Sequence, residues 1–399
     1  MDTLSTLLNE AEDLLPDAVN LRREIHAHPE LGLELPRTQK LVLAALDGLH
    51  LDITTGASLS SVIAVLDSGR PGPTVLLRGD MDALPMPEGT DLEFASKEGG
   101  VMHACGHDAH VAMLAGAAKL LRAHDAELNG RVVFMFQPGE EGDHGARFMI
   151  DEGVLDVAGR VDVAFAIHQT PSLPCGVIAT KGGTLLASAD EIFIDVEGRG
   201  GHASMPFQTL DPIPVACEIV LAIQSMVTRK IDVFDPAVVT IAHVTAGTTS
   251  NVIPESACIH GTVRAVSART RQLVHDELAR LAHGIGEAHG VTATLRINSG
   301  FPVTVNDPSV ADWARGVATR LLGVAKVLEM TSPVMGAEDF SYVLENVPGT
   351  MVFLGTCPEG VEPAEAAPNH SNRMMLNESA MATGIALYAG IALARSISS

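Results

Sequence analysis

The sequence predicts an α/β protein whose mixed, mostly parallel sheet is covered by helices on both faces. Buried strand patterns alternate with helical patterns, the strands at residues 61–66, 74–78, 131–136 and 161–167 and the helices at residues 109–123 and 145–151. Alternation of this kind is typical of parallel sheets with both faces buried. The polar clusters of this region follow its strands, so we expect them to meet at the carboxyl edge of the sheet.

The pattern changes at about residue 186, where a second domain is expected. Residues 191–196 alternate polar and apolar side chains, as a strand with one open face does. The patterns that follow complete the order βαββαβ, which predicts a ferredoxin-like domain inserted into the first. We therefore expect one domain at residues 1–185 and 301–399 and an inserted domain at residues 186–300. Its uncovered edge strands favour pairing with a second copy of the chain.

Composition limits the class of function. The chain has 399 residues and a net charge of −23, which argues against binding to nucleic acid or to an anionic membrane surface. No apolar run reaches the roughly 20 residues that span a bilayer. The first 27 residues form an acidic amphipathic pattern that lacks the features of a signal peptide. The five scattered cysteines are typical of a reducing cytoplasm, and we expect all but Cys105 to be buried apolar thiols.

Residues 102–110 carry the sharpest indication of chemistry. They place the thiol of Cys105 beside the imidazoles of His103, His107 and His110, directly before a helical pattern. A metal ion stabilises a thiolate, and thiolate and imidazole together suit zinc or a similar divalent ion. Cys105 and His107 are the stronger candidates, and spacing alone leaves His103 and His110 open as ligands.

Pairs of carboxylates follow two of the strands. Glu140 and Glu141 come directly after an apolar strand, where two adjacent charges need an offsetting cation. One of the pair can then hold a metal while its neighbour moves protons. Asp80 and Asp82 could bind a metal or orient a ligand imidazole, and a solvated turn is the alternative for them.

Taken together, these motifs resemble the M20 family of metallopeptidases. Within that family they are similar to the amidohydrolase branch, which includes aminoacylases, hippurate hydrolases and auxin-conjugate hydrolases. The resemblance covers essentially the whole chain, and its motifs lie at residues 78–85, 102–108, 137–141, 201–206, 251–254, 261–264 and 336–340.

The resemblance implies a site for two divalent metal ions. It identifies a set of ligands in which Cys105 bridges the two ions: Cys105, His107, Glu141, His168 and His370. His168 and His370 are lone histidines, which by themselves are more often structural than ligating. Glu140 would be the general base and Asp82 its supporting partner. Asp80 stands where many M20 peptidases carry a ligand histidine.

Further roles are implied for the inserted domain. His202 resembles the histidine that reaches the site of a partner subunit and steadies the oxyanion. Asn251 and Arg264 are similar to the groups that hold the carboxylate of the substrate. Asn369 and Asn372 are departures, because they flank His370 where branch members often have histidine and proline.

The resemblance thus implies hydrolysis of the amide bond of N-acyl amino acids, with N-acetyl, N-benzoyl or longer acyl groups, to a carboxylate and a free amino acid. It also implies a cytoplasmic homodimer with two ions per subunit, Zn²⁺ or Mn²⁺, with Co²⁺ and Ni²⁺ left open. One rival is a dipeptidase or carboxypeptidase that uses the same site. Another is an inactive metal-binding relative, against which the presence of Glu140 argues, since binding alone needs no base.

Overall fold

The computed structural model describes residues 3–397, and the chain falls into two compact units. The first unit contains Met1–Leu185, Val305–Ser332 and Asp339–Ser399. The second contains Leu186–Thr304 and Pro333–Glu338, so a short later segment joins the inserted region.

The helices are α1 (Leu7–His26), α2 (Pro36–Leu46), α3 (His107–Ala123), α4 (Gly145–Asp151), α5 (Pro212–Lys230), α6 (Ala268–Ala288), α7 (Pro308–Leu322), α8 (Ser341–Asn346) and α9 (Ala380–Ile397). Short 3₁₀ turns lie at Thr3–Ser5, Asp125–Glu127, Pro206–Gln208 and Val324–Lys326. The strands are β1 (Asp52–Thr55), β2 (Val62–Asp67), β3 (Thr74–Asp80), β4 (Arg131–Gln137), β5 (Val163–Thr170), β6 (Ile178–Thr180), β7 (Gly183–Leu186), β8 (Asp190–Glu197), β9 (Gly201–His202), β10 (Ala237–Ala246), β11 (Val252–Ile253), β12 (Ser256–Ala265), β13 (Thr292–Ser299), β14 (Thr304–Asn306), β15 (Val327–Glu329) and β16 (Gly349–Gly355).

The first unit is built on an eight-stranded sheet in the order β1-β2-β4-β3-β5-β16-β6-β15. Its centre is parallel, since β3 pairs in parallel with both β4 and β5, and β5 with β16. The pairs β1/β2, β2/β4 and β16/β6 are antiparallel. The structure therefore confirms a mixed α/β fold with a largely parallel sheet.

Small side chains let the helices of this unit pack closely around the sheet. Strands β3 and β16 are buried along their whole length, as central strands covered on both faces are. Helix α3 is buried on nearly every side because alanine and glycine dominate its sequence. A Cβ at Gly116 would lie 2.7 Å from the side chain of Ile385 in α9, so any larger residue here would require Ile385 to shift.

The second unit has a four-stranded antiparallel sheet in the order β10-β12-β8-β13. Helices α5 and α6 pack on it, and each begins at a side-chain cap: Asp211 accepts from the N–H of Ile213, and Ser267 accepts from that of Thr270. By length and composition alone, α5 could span a membrane. Its buried residues lie in the hydrophobic core of this unit. Strand β10 lies at an edge of the sheet and is largely exposed.

The cysteines correct one expectation. All five, which lie within the described residues, are free thiols. Of the four expected to be buried, only Cys357 is; Cys217 is exposed and Cys175 and Cys258 are partly exposed. Cys217 lies on the outer face of α5, because a helix packed on one side buries only the residues along one stripe.

Candidate active site

The loop before α3 and the end of β5 bring a thiol and two imidazoles together. The ligand-capable atoms of Cys105, His107 and His168 all lie within 4.8 Å of one another. The Sγ of Cys105 is 3.4 Å from the Nε2 of His168. Between the first two residues Gly106 has a φ of 82°, a left-handed conformation that turns the chain directly into α3.

A second group shares the same thiol. The ligand-capable atoms of Cys105, Glu141 and His370 also lie within 4.8 Å of one another, and the Nε2 of His370 is 3.2 Å from the Oε1 of Glu141. His370 has a φ of 66°, which is uncommon for a residue with a side chain. Its N–H donates to the carbonyl of Ala104 at 2.8 Å, and this bond ties it to the segment that carries Cys105.

Backbone carbonyls determine which nitrogen the imidazoles of His107 and His168 present to the cluster. The Nδ1–H of His107 donates to the carbonyl of Asp82 at 2.9 Å, and that of His168 donates to the carbonyl of Gln169 at 2.6 Å. Both rings therefore carry a proton on Nδ1 and turn Nε2 toward the cluster. The Nε2 of His107 is buried, and within residues 3–397 it has no hydrogen-bond partner. A buried imidazole nitrogen without a hydrogen-bond partner is the state expected of a metal ligand.

Three carboxylates lie against this nitrogen. The Oδ2 of Asp80 is 3.5 Å, the Oε2 of Glu140 is 3.9 Å and the Oε1 of Glu141 is 4.0 Å from the Nε2 of His107. Asp82 holds both glutamates, because its Oδ1 accepts the N–H of Glu140 and its Oδ2 accepts that of Glu141, each at 2.9 Å. Asp82 thus orients the paired glutamates through its side chain and His107 through its carbonyl.

The other polar residues of these motifs are occupied by protein contacts. His110 uses both ring nitrogens: Nδ1–H donates to Asp80 at 2.5 Å, and Nε2 accepts the N–H of Gln169 at 2.8 Å. Asp80 also receives the guanidinium of Arg78 at 2.5 Å. Arg78, in turn, donates to the buried carboxylate of Asp339. The ligand-capable atoms of Asp80, His107 and His110 also lie within 4.8 Å of one another, but these contacts place Asp80 and His110 to support the site rather than to bind a metal.

His103 lies outside both ligand groups. Its ring is buried 6.2 Å from that of His26, next to a buried ion cluster that sequence reasoning missed. In that cluster Asp108 lies 2.8 Å from the Nδ1 of His26 and 3.0 Å from the Nε of Arg22. Burial disfavours the charged form of His26, but Asp108 outweighs burial and raises the pKa of His26 to about 9. The sequence offered no signal for this cluster beyond the amphipathic pattern of α1.

The donor set fits divalent cations. It combines one thiol, imidazoles and a carboxylate, which is a set that zinc and its neighbours accept. Burial, and the nearby charge of Glu141, raise the pKa of the Cys105 thiol, so a cation is needed to make it a thiolate. The two groups that share Cys105 provide two adjacent positions, and the orphaned Nε2 of His107 faces one of them.

The remaining predicted residues belong to the second unit. His202 on β9 pairs with Val252 of β11, so it lies next to Asn251, whose carbonyl accepts the N–H of Ala203. The Nδ1 of His202 accepts the N–H of Ser204 at 3.1 Å, which places the ring proton on Nε2. Arg264 lies apart from these two on β12 and is half-buried.

Comparison with known proteins gives the family. The model of peptidase family M20/M25/M40 matches residues 76–394. The thermostable carboxypeptidase 1 of Saccharolobus solfataricus is 39% identical over 98% of this chain and 99% of its own length. The N-acetylcysteine deacetylase of Bacillus subtilis is 41% identical over 85% of this chain and 88% of its own.

A solved structure supports the same family. A dinuclear metal-binding peptidase of the M20 family from Bacillus subtilis superposes with a TM-score of 0.84 at 34% identity, covering 97% of this chain and 99% of that one. The matched family region contains both groups of ligand-capable residues described above. The chain therefore belongs to peptidase family M20/M25/M40, in its amidohydrolase branch, and is a metal-dependent amide hydrolase.

Proposed function

We propose that this enzyme hydrolyses the amide bond of N-acyl amino acids, releasing a carboxylate and a free amino acid. The observation that carries the amide hydrolysis is the position of Glu140, and the likeness to the N-acetylcysteine deacetylase supports the N-acyl substrate. Its carboxylate is buried at 5% exposure, 3.9 Å from the orphaned Nε2 of His107, and its backbone is held by Asp82. A carboxylate beside a metal position but outside the thiol-sharing ligand groups is what a general base requires.

Five residues would hold two divalent ions: Cys105, His107, Glu141, His168 and His370. Cys105 would serve both ions, because it belongs to both groups. When bound, two such ions lower the pKa of water and neutralise charge that develops on a carbonyl oxygen. We keep Zn²⁺ or Mn²⁺ as the proposed metals, with Co²⁺ and Ni²⁺ as alternatives.

Glu140 would move the proton. Its carboxylate accepts a proton from the attacking water as the new C–O bond forms at the amide carbon. It then donates that proton to the amide nitrogen as the C–N bond breaks, which balances the reaction without a further acid. Asp82 contributes by holding the backbone of Glu140, so that the carboxylate needs no rearrangement during the transfer.

Residues of the second unit would recognise the amino acid part of the substrate. The guanidinium of Arg264 suits a bidentate pair with a carboxylate, and the side-chain amide of Asn251 can add a further hydrogen bond. His202 would donate from Nε2–H to the developing oxyanion, since Nδ1 accepts the N–H of Ser204. By resemblance, His202 would serve the site of a partner subunit.

A homodimer and a cytoplasmic location belong to the same proposal. The exposed edge strand β10 supports pairing of the second unit with a second copy of the chain. The five free cysteines are typical of a reducing compartment.

A carboxypeptidase or dipeptidase is the second candidate. It is favoured by the likeness to the thermostable carboxypeptidase of Saccharolobus solfataricus, whereas the likeness to the N-acetylcysteine deacetylase favours N-acyl substrates. The two functions differ in the group on the substrate's amino nitrogen, while the chemistry at Glu140 is the same in both.

Release of free amino acid from N-acetyl and N-benzoyl amino acids, and from unblocked dipeptides, tests the proposal. The assay compares metal-stripped protein with protein reloaded with each metal. We expect metal-restored cleavage of the acylated substrates. Faster cleavage of unblocked dipeptides would establish the second candidate. No turnover of any amide despite bound metal would overturn both.

A further inference from the structure

Gln169 contacts the three chain segments that carry Cys105, His168 and His370. It follows His168 on β5, and its own carbonyl accepts the Nδ1–H of that histidine at 2.6 Å. Its side-chain Nε2 donates to the carbonyl of Cys105 at 2.7 Å and to the Oδ1 of Asn369 at 2.8 Å. Asn369 directly precedes His370, so one side chain joins segments that are distant in sequence.

The environment of Gln169 leaves it no alternative arrangement. The side chain is fully buried, and its Oε1 accepts the hydroxyl of Thr356 at 2.6 Å. The carbonyl of Cys105 identifies the amide orientation, because a carbonyl can only accept and Nε2 must therefore face it, which leaves Oε1 for the hydroxyl of Thr356. A Cβ at Gly106 would lie 2.5–2.7 Å from the Gln169 side chain, so the glycine of the ligand loop makes the room that this amide fills.

A second hydrogen bond, in the opposite direction, joins Asn369 to Gln169. Its Nδ2 donates to the carbonyl of Gln169 at 3.2 Å, while its Oδ1 accepts from the Gln169 side chain. The next residue, His370, has a φ of 66°, and a side-chain-bearing residue keeps such a backbone only when its surroundings impose it. The Gln169–Asn369 pair and the bond from His370 N–H to Ala104 supply that constraint.

We propose that Gln169 and Asn369 are positioning residues that set the location of His370 relative to Cys105, and thereby the affinity of the position formed by Cys105, Glu141 and His370. The inference rests on the metal site of the proposed function and adds two residues to it. The first position, formed by Cys105, His107 and His168, depends less on Asn369, because none of its three ligands lies on the Asn369 segment.

Metal binding to Asn369→Ala and Gln169→Met tests this. Each stripped protein is titrated with Co²⁺, and the d–d and thiolate-to-cobalt absorption bands are followed together with metal stoichiometry. In Asn369→Ala we expect one of the two binding steps to lose about 10–100-fold in affinity, which is the usual effect of removing an outer-shell partner, while the other step is kept. Gln169→Met should weaken both steps, because it also releases the carbonyl of Cys105.

Matched controls separate positioning from general stability. Asn306 is also a fully buried amide of the first unit, and it donates to Thr180, Lys181 and Met351. Asn306→Ala should lower the melting temperature without changing the cobalt bands. Gln39→Ala removes one amide hydrogen bond from a half-buried side chain, as a control for Asn369→Ala.

The outcomes are distinguishable. If the wild-type protein binds no Co²⁺ and no other divalent ion, the proposed function itself fails. If the wild type binds two ions and Asn369→Ala binds both with unchanged affinity and spectrum, the positioning role is wrong. Asn369 lies on a partly exposed loop, so its variant carries the test even if Gln169→Met does not fold.

Discussion

The carboxylate of Asp82 accepts the backbone N–H of Glu140 at 2.9 Å, across 58 positions of sequence. Its second oxygen accepts the N–H of Glu141 at the same distance. One buried aspartate, two residues beyond the end of β3, therefore fixes both the residue proposed as base and the residue proposed as ligand. These two hydrogen bonds hold the backbone of each glutamate and use none of its side-chain oxygen atoms.

Asp82→Asn should impair both stability and turnover. The amide replaces one acceptor with a donor and leaves one buried N–H unpaired, at a cost of about 1–3 kcal/mol in the free energy of unfolding. The matched control is Glu30→Gln, because the two oxygens of Glu30 also accept one backbone N–H group each, those of Arg37 and Thr38 at the start of α2. We expect both variants to melt earlier but only Asp82→Asn to lose kcat; equal kcat in the two would refute the role of Asp82.

Glu140→Gln should keep the fold and the metal ions while turnover falls by about 10²–10⁴, the usual contribution of a general base. The amide preserves the shape of the side chain but cannot accept the proton from water. Steady-state kinetics and metal analysis on the same sample check this. Glu152→Gln, a change at an exposed carboxylate that binds Ser58, serves as the control. Activity within a few-fold of the wild type would exclude Glu140 as the base.

Gly106→Ala should disrupt the metal site more than backbone strain alone explains. Its φ of 82° disfavours alanine by roughly 1–2 kcal/mol, and the new Cβ would also collide with Gln169. Gly48→Ala isolates the first effect, because Gly48 has a φ of 74° and a Cβ at this position would meet none of the described atoms within 4 Å. We expect both variants to be less stable, and only Gly106→Ala to bind metal more weakly in a competition assay. Equal metal affinity would show that the contact with Gln169 is unimportant.

Acid should weaken the second unit through Asp190. This carboxylate accepts from the Nε of Arg271 at 2.8 Å and lies 2.9 Å from the Nε2 of His275, with the charge of Arg264 also acting on it. Burial opposes its ionisation, but Arg271 and His275 outweigh burial and lower its pKa to about 2.

The direction in which stability changes with pH follows from the lowered pKa of Asp190. Because the folded state holds the carboxylate ionised below its unfolded pKa of about 3.9, the stabilisation is complete above that pH and is lost as pH falls toward 2. In denaturant unfolding, the stability advantage of the wild type over Asp190→Asn should be constant from neutral pH to about pH 5 and shrink below pH 4. An advantage that persists unchanged to pH 2 would contradict this assignment.

Local patterns were sufficient for the elements that carry the site. The helix at residues 145–151 has the predicted bounds, and α3 begins only two residues earlier than expected, at His107. The earlier start comes from Gly106, whose left-handed conformation lets the chain enter the helix at once. Periodicity could not show this, because it reports which side chains are buried and not the backbone angle at a single residue.

The sequence by itself determined the class of fold, the motif residues and the metal-dependent chemistry, because strand and helix periodicity and the spacing of ligands are local properties. Only the tertiary structure decided which histidines of residues 102–110 face the cluster. His107 presents an orphaned nitrogen, whereas His110 is held by Asp80 and Gln169. Only the tertiary structure joined Gln169 to Asn369, 200 positions apart. Such contacts depend on how strands and loops pack, and no local pattern of residues encodes that packing.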